Sequence, residues 1–167
     1  MGIDDLLADL KGGTGLTRAR AASELGKLRD KNAASALMKA LNDANEGVRS
    51  NAAFALGEIG AVAAVPVLAK KLSDPGEFVR KSAAKALGML KADQAVADLA
   101  KAIGDPARVV RKSAMRSLGQ IATTEAIAAL KKAARHLDSD IARMAEDTLR
   151  KLDNSERKAF GMPSEKI

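Results

Sequence analysis

The chain of 167 residues is 47% hydrophobic but only 2% aromatic, and its 28 Lys and Arg outweigh 21 Asp and Glu, for a formal net charge of +7. With no Cys, Trp or Tyr and a single His, it excludes disulfides, thiolate metal sites and cysteine nucleophiles. The longest apolar run, residues 61–69, contains Pro66 and is far short of the roughly 18–20 residues that cross a bilayer.

No charged and then apolar leader opens the chain, so a cytoplasmic protein is expected, and its charge favours acidic partners. Ile3, Leu6 and Leu10 share one face of a short helix expected over residues 1–11, which Gly12-Gly13-Thr14-Gly15 breaks. A helix of a first type, A, is expected over Thr17–Leu28, and one of a second type, B, over about Ala33–Leu41. The pair recurs over Val48–Ile59 and Ala63–Leu72, over Val79–Leu90 and Gln94–Ile103, and over Val110–Ile121 and Thr124–Ala134. A last A helix, Ile141–Leu152, closes a series of about ten.

The unit repeats most plainly in Leu25-Gly26-Lys27-Leu28, Leu56-Gly57-Glu58-Ile59, Leu87-Gly88-Met89-Leu90 and Leu118-Gly119-Gln120-Ile121. Leu149-Arg150-Lys151-Leu152 is an imperfect fifth copy, and the leading Leu advances by a constant 31 residues. A fixed period of about 20–50 residues marks a stacked repeat architecture. The chain therefore reads as one array over 1–153. It holds a half-repeat at 1–12, repeats at about 16–43, 47–74, 78–105 and 109–136, and a capping helix at 140–153. A flexible tail is expected at 154–167, where Gly161 and Pro163 fall.

Aligned on this period, the columns of Val48, Ala52, Leu56 and Ile59 in helix A stay apolar or small apart from Thr17, as do those of Ala64, Val65, Leu68 and Leu72 in helix B. These stripes are expected to be the buried faces, which neighbouring repeats must cover. At the end of the array the column of Ala22, Ala53, Ala84 and Met115 turns to Glu146, and the glycine column turns to Arg150. Polar residues there are what a terminal cap requires.

Asp43 and Arg49, Asp74 and Arg80, and Asp105 and Arg111 share a spacing of six, each acid at the end of a B helix and each Arg in the first turn of the next A helix. With these residues in place, the pattern resembles the HEAT-repeat family, in particular the short HEAT-like repeats of the phycobilisome-lyase type. The resemblance covers roughly residues 3–152 and implies an all-α, right-handed α-solenoid. It also implies that the Asp and Arg columns form a hydrogen-bonded ladder between repeats, and that B helices line the concave face. The ladder is expected to lapse at the ends, where Gly12 stands before Arg18 and where His136 and Ala142 replace the pair.

A second column, Lys39, Lys70, Lys101 and Lys132, is unbroken, and small neighbours such as Ser35, Ala97 and Ala128 precede it. With Lys71 beside it, this row is the candidate concave binding surface for an elongated acidic protein segment. On the expected outer face, Lys81, Lys85, Lys112, Arg116 and Arg143 form another basic area on the A helices of the later repeats, a candidate phosphate-binding surface. Phe54 shares its column with Ser23, Lys85, Arg116 and Asp147 and is expected to be exposed as a contact anchor, whereas Phe78, in the column of Leu16 and Val109, is expected to pack in a loop.

Enzymatic readings lack residues. The resemblance extends to deoxyhypusine hydroxylase, whose di-iron site implies repeated His-Glu pairs; here His136 stands alone and is followed by Leu137. No G-x-S-x-G, P-loop or dinucleotide fingerprint occurs. HEAT-type DNA glycosylases imply aromatic residues around a concave carboxylate, and the aromatics are missing. No catalytic, cofactor or metal residue is assigned. The expectation is a monomeric, non-catalytic protein-binding scaffold with an acidic partner. Nucleic-acid or ribosome binding, and a lyase or chaperone-like subunit related to bilin lyases, are the alternatives.

Overall fold

The computed structural model describes residues 2–159, which form a single stack of ten α-helices without strands. The order is α1 (Ile3–Gly12), α2 (Gly15–Leu28), α3 (Ala34–Ala40), α4 (Glu46–Glu58), α5 (Val65–Lys70), α6 (Glu77–Met89), α7 (Val96–Ala102), α8 (Arg108–Ile121), α9 (Thr124–Ala133) and α10 (Ser139–Ala159). The A helices are α2, α4, α6, α8 and α10; the B helices are α1, α3, α5, α7 and α9. Helix α10 runs past the expected end of the last A helix. Of the tail expected from residue 154, the stretch to Ala159 is helical, and residues 160–167 lie outside the described ones. No helix among the described residues is long and apolar enough to cross a membrane.

Local chemistry starts and stops the helices. Thr14, Asn45 and Thr123 accept hydrogen bonds from the backbone N–H of Thr17, Val48 and Ala126, satisfying donors that have no partner within a first helical turn. At the other end the A helices turn through a left-handed residue in the same repeat position: Arg29, Gly60, Lys91 and Ala122, with φ of 53°, 71°, 48° and 54°. Only Gly60 adopts that conformation without a Cβ penalty. Short 3₁₀ turns at Lys31–Ala33, Val62–Ala64 and Asp93–Ala95 then lead into α3, α5 and α7.

The expected stripes are the core. Val48, Ala52 and Leu56 of α4 with Ile59 just after it, and Ala64, Val65, Leu68 and Leu72 around α5, are all buried. Glu146 and Arg150 are exposed at the end of the stack, as a cap requires.

The glycine column sets how closely A helices approach. A Cβ on Gly26 would lie 2.8 Å from Ala55 Cα, one on Gly57 would lie 2.8 Å from Ala86 Cα, and one on Gly88 would lie 2.7 Å from Ser117 Cβ. Consecutive A helices from α2 to α8 thus pack nearly backbone to backbone along their length, whereas consecutive B helices meet at only a few points. In a curved stack the closely spaced row is the inner one. The A helices therefore line the inner side, and the B helices, expected there, form the outer side.

This contact yields a test. Gly57→Ala gains about 1 kcal/mol of helix propensity but overpacks the α4–α6 contact at a cost of about 1–3 kcal/mol. A net loss of about 1 kcal/mol is expected, lowering the melting temperature by roughly 2–4 °C. Gly12→Ala, whose Cβ meets nothing within 4 Å, should leave it unchanged or raise it. Circular dichroism melts of the two variants check the contrast.

Candidate binding surfaces

The Asp and Arg columns do form a ladder, with a different connection from the one their spacing of six suggests. Each Arg is clamped by the carboxylate 25 residues after it. Arg49 donates through Nε and Nη2 to Asp74 at 3.0 and 2.9 Å, and Arg80 to Asp105 at 2.7 and 3.1 Å. The acid six residues before each Arg contributes its backbone instead: Arg49 Nη1 donates to Asp43 O and Arg80 Nη1 to Asp74 O, both at 2.9 Å. Each carboxylate also accepts the N–H two residues on, as Asp74 does from Gly76 at 2.9 Å. One guanidinium thus ties two successive loops with bidentate, charge-assisted bonds.

The ladder accordingly does not lapse at its start. Arg18 finds Asp43 at 2.7 and 2.8 Å and Gly13 O at 2.8 Å. It falters only at the last rung, where the position 25 residues after Arg111 is His136. Arg111 Nη1 still reaches Asp105 O, and Nη2 turns to Asp140 at 3.2 Å, but the buried Nε is left without an acceptor. Asp140 also receives Arg108 at 2.9 Å and Arg143 at 3.5 Å. Hydrogen bonding from Arg108 above all, opposed by desolvation and helped by the bond from Arg111 and the charge of both arginines, lowers its carboxyl to about 2. His136 itself is exposed, its Nδ1 accepting the N–H of Asp138 at 3.0 Å.

The lysine row is exposed at Lys39, Lys70, Lys101 and Lys132, on the outer side rather than in the concavity. Lys101 leans to Asp98 at 3.4 Å. Lys71 does not belong with them: it is largely covered, with Nζ 3.1 Å from Asn42 Oδ1 and 3.8 Å from Asp74. It buttresses a ladder rung.

The inner side changes character along the stack. Its early helices present Ser23, Ser50, Phe54 and Glu58; the later ones present Lys81, Lys85, Lys112, Arg116, Arg143 and Lys151. Two aromatic assignments reverse here. Phe54 is half-buried because Lys85, one repeat on, lies over its ring with Nζ 5.7 Å from the centroid. Phe78, the second residue of α6, is the exposed one, with Lys81 Nζ 5.3 Å from its centroid. Among the described residues Lys81, Lys85, Lys112, Arg116 and Lys151 make no ion pair, and acids nearby are engaged elsewhere, Asp147 with Arg150 at 2.7 Å. Burial first, then repulsion from Lys81 and Arg116, lowers the pKa of Lys85. Apart from the two ring contacts, a cation cluster under this self-repulsion has no opposite charge within the fold to offset it, and it attracts anionic groups. Periodicity identified the residues, but only the side the helices face makes them one surface.

A model of HEAT repeats matches residues 3–88 and 65–150. Among solved structures, the complex of CpcE and CpcF of phycocyanin lyase from Nostoc sp. PCC7120 is similar, with 29% identity over 96% of this chain and 68% of that one, and a TM-score of 0.77. An engineered protein is 26% identical over 96% of this chain and 84% of its own, with a TM-score of 0.69. Computationally designed armadillo repeat proteins for modular peptide recognition share the fold at 23% identity, over 86% of this chain and 79% of that one, with a TM-score of 0.64. No curated protein matches the chain.

Two predictions follow from the ladder. His136→Asp supplies the missing acceptor for Arg111 Nε and should stabilise the fold by about 1 kcal/mol, raising the melting temperature by roughly 2–4 °C; an unchanged or lower value in a thermal melt refutes the assignment. The second concerns acid. Asp43, Asp74, Asp105 and Asp140 all have folded-state pKa values below the ordinary 3.8, so their contribution is present above pH 4 and lost as pH falls through the lowered values. Stability should hold from pH 7 to 5 and decline between pH 4 and 2, with Asp140→Asn showing a smaller decline in a pH series of denaturant titrations.

Proposed function

The chain belongs to the HEAT-repeat family, and from that premise we propose that it is a non-catalytic scaffold whose inner A-helix face binds an acidic protein segment. The fold alone carries no function. The reading rests on the unneutralised cations of α6 and α8, above all Lys85, which is crowded by Lys81 and Arg116 with no carboxylate paired to it. An extended or helical acidic segment lying across the A helices supplies the missing charge. Polar residues at both ends of the stack, Glu24 paired with Lys27 at one and the exposed Glu146 and Arg150 at the other, support a monomer. The absence of Cys suits the cytoplasm. The exposed outer row of Lys39, Lys70, Lys101 and Lys132 serves solubility.

The similarity to the CpcE–CpcF complex favours a second reading, one subunit of a two-chain, lyase-like assembly. It predicts a chromophore that copurifies and absorbs in the visible. A colourless preparation from cells that make tetrapyrroles goes against it.

The scaffold reading is tested by fluorescence anisotropy with a labelled acidic peptide. Changing Lys81, Lys85, Lys112 and Arg116 together to Ser should weaken binding at least about tenfold, each rim charge acting through electrostatic complementarity. Changing Lys39, Lys70, Lys101 and Lys132 to Ser should leave it within about twofold. The reverse ranking would move the site to the outer row. Tighter binding of an oligonucleotide, with a steeper salt dependence, would replace the protein partner with nucleic acid.

A further inference from the structure

The last A-helix pair differs from the others. At the first two contacts a glycine meets the backbone of Ala55 or Ala86, and at the third Gly88 meets Ser117, whose Oγ donates to Ala84 O at 2.7 Å across the joint. At the fourth, the same position is Thr148. A Cβ on Gly119 would meet only the tip of that side chain, Cγ2 at 2.9 Å, with the next nearest atoms at 3.9 Å on Leu152. The branched residue keeps α10 off α8, and the two helices pack less closely than α6 and α8 do. A crevice of about 280 Å³ opens between them on the inner side.

Its composition is specific. The floor includes Met115 and Met144, both buried, in columns that hold Ala84 and Ser113 one repeat earlier. Unbranched thioethers adapt their shape to an inserted apolar group. The rims are cationic on both sides, with Lys112 and Arg116 on α8 and Arg143 and Lys151 on α10. The acid that reaches the crevice, Asp147, is held by Arg150. At this volume the crevice is just under the roughly 300–1,000 Å³ of sites that enclose a small molecule, and suits one or two side chains of a polypeptide.

We infer that this crevice is the anchor point of the inner face: it takes a single aliphatic side chain, Leu, Ile or Met, from a partner segment whose flanking residues are Asp or Glu. The apolar group settles on Met115 and Met144 while the flanking carboxylates meet Lys112, Arg116 and Lys151. Such an anchor gives an otherwise sliding charge contact one register, because among the described residues this is the joint between A helices that opens on the inner face. The inference rests on the reading of the inner face as an acid-binding surface and adds to it a position and a residue type.

The test uses the full chain with ¹³C-methyl-labelled methionine, which gives six methyl signals, and two twelve-residue peptides of Asp and Glu, one with a central Leu and one with Ser in its place. The Leu peptide should bind at least fivefold tighter and shift the methyl signals of Met115 and Met144, which point mutants such as Met144→Leu assign. Lys112→Ser with Arg116→Ser should weaken both peptides. Equal affinities with both signals unmoved would overturn the anchor yet leave the acid-binding reading standing. Absence of binding by either peptide at low salt would overturn both.

Discussion

Bringing two α-helices almost to backbone contact requires that one of them present no side chain, and in this stack Gly26, Gly57 and Gly88 meet that condition against Ala55, Ala86 and Ser117. The rest of the molecule depends on this contact. It draws one row of helices together while the other row, with bulkier Leu and Val between its members, stays apart. The difference in spacing curves the stack and decides which residues face inward. Where the contact ends, at Thr148, the curvature relaxes and a crevice opens.

The polar ladder answers a separate need. Short helices of six to fourteen residues end often, and each end leaves backbone groups without helical partners. Placing one guanidinium against two loops satisfies several carbonyls and one carboxylate at each joint, buried at Asp74 and half-buried at Asp43 and Asp105. It also fixes how one repeat sits on the next. Burial is the largest single influence on Asp74 and Asp105 and opposes their ionisation, but the bond from Arg49 or Arg80, a backbone N–H and the nearby cations together outweigh it, so these acids stay charged well below neutral pH. The last rung, with His136 opposite Arg111, leaves the buried Arg111 Nε without an acceptor, and Asp140 gathers three arginines there.

Surface charge then follows from which side of the stack a column occupies. Lys101 and Lys85 are both lysines in helices of the same repeat. One is fully solvated beside Asp98, and the other is half-buried, over an aromatic ring and between like charges. Water and Asp98 screen the charge of the first; the charged neighbours of the second are the cations Lys81 and Arg116. The difference is one of surroundings, and it moves the candidate site from the outer lysine row to the inner face of α6, α8 and α10.

Period, helix types, buried columns and capping residues were all legible in the linear chain, because a repeat of 31 residues displays each structural position several times and polar exceptions stand out at the ends. The identity of the ladder residues was legible for the same reason. Their partners were not: a spacing of six is near in sequence, but the carboxylate 25 residues away is the one the stacking angle brings to the guanidinium. Nor could linear order say which helix row lies inside, since that depends on interhelical distances set by a glycine on one helix meeting a small residue on another. Phe54 and Phe78 exchanged their expected exposures on the same ground, each being decided by whether a lysine stem from the next repeat lies over the ring. Composition and periodicity determine that this protein is a basic helical repeat array; side-chain size at the joints between repeats decides its curvature, its inner face and the one place where that face opens.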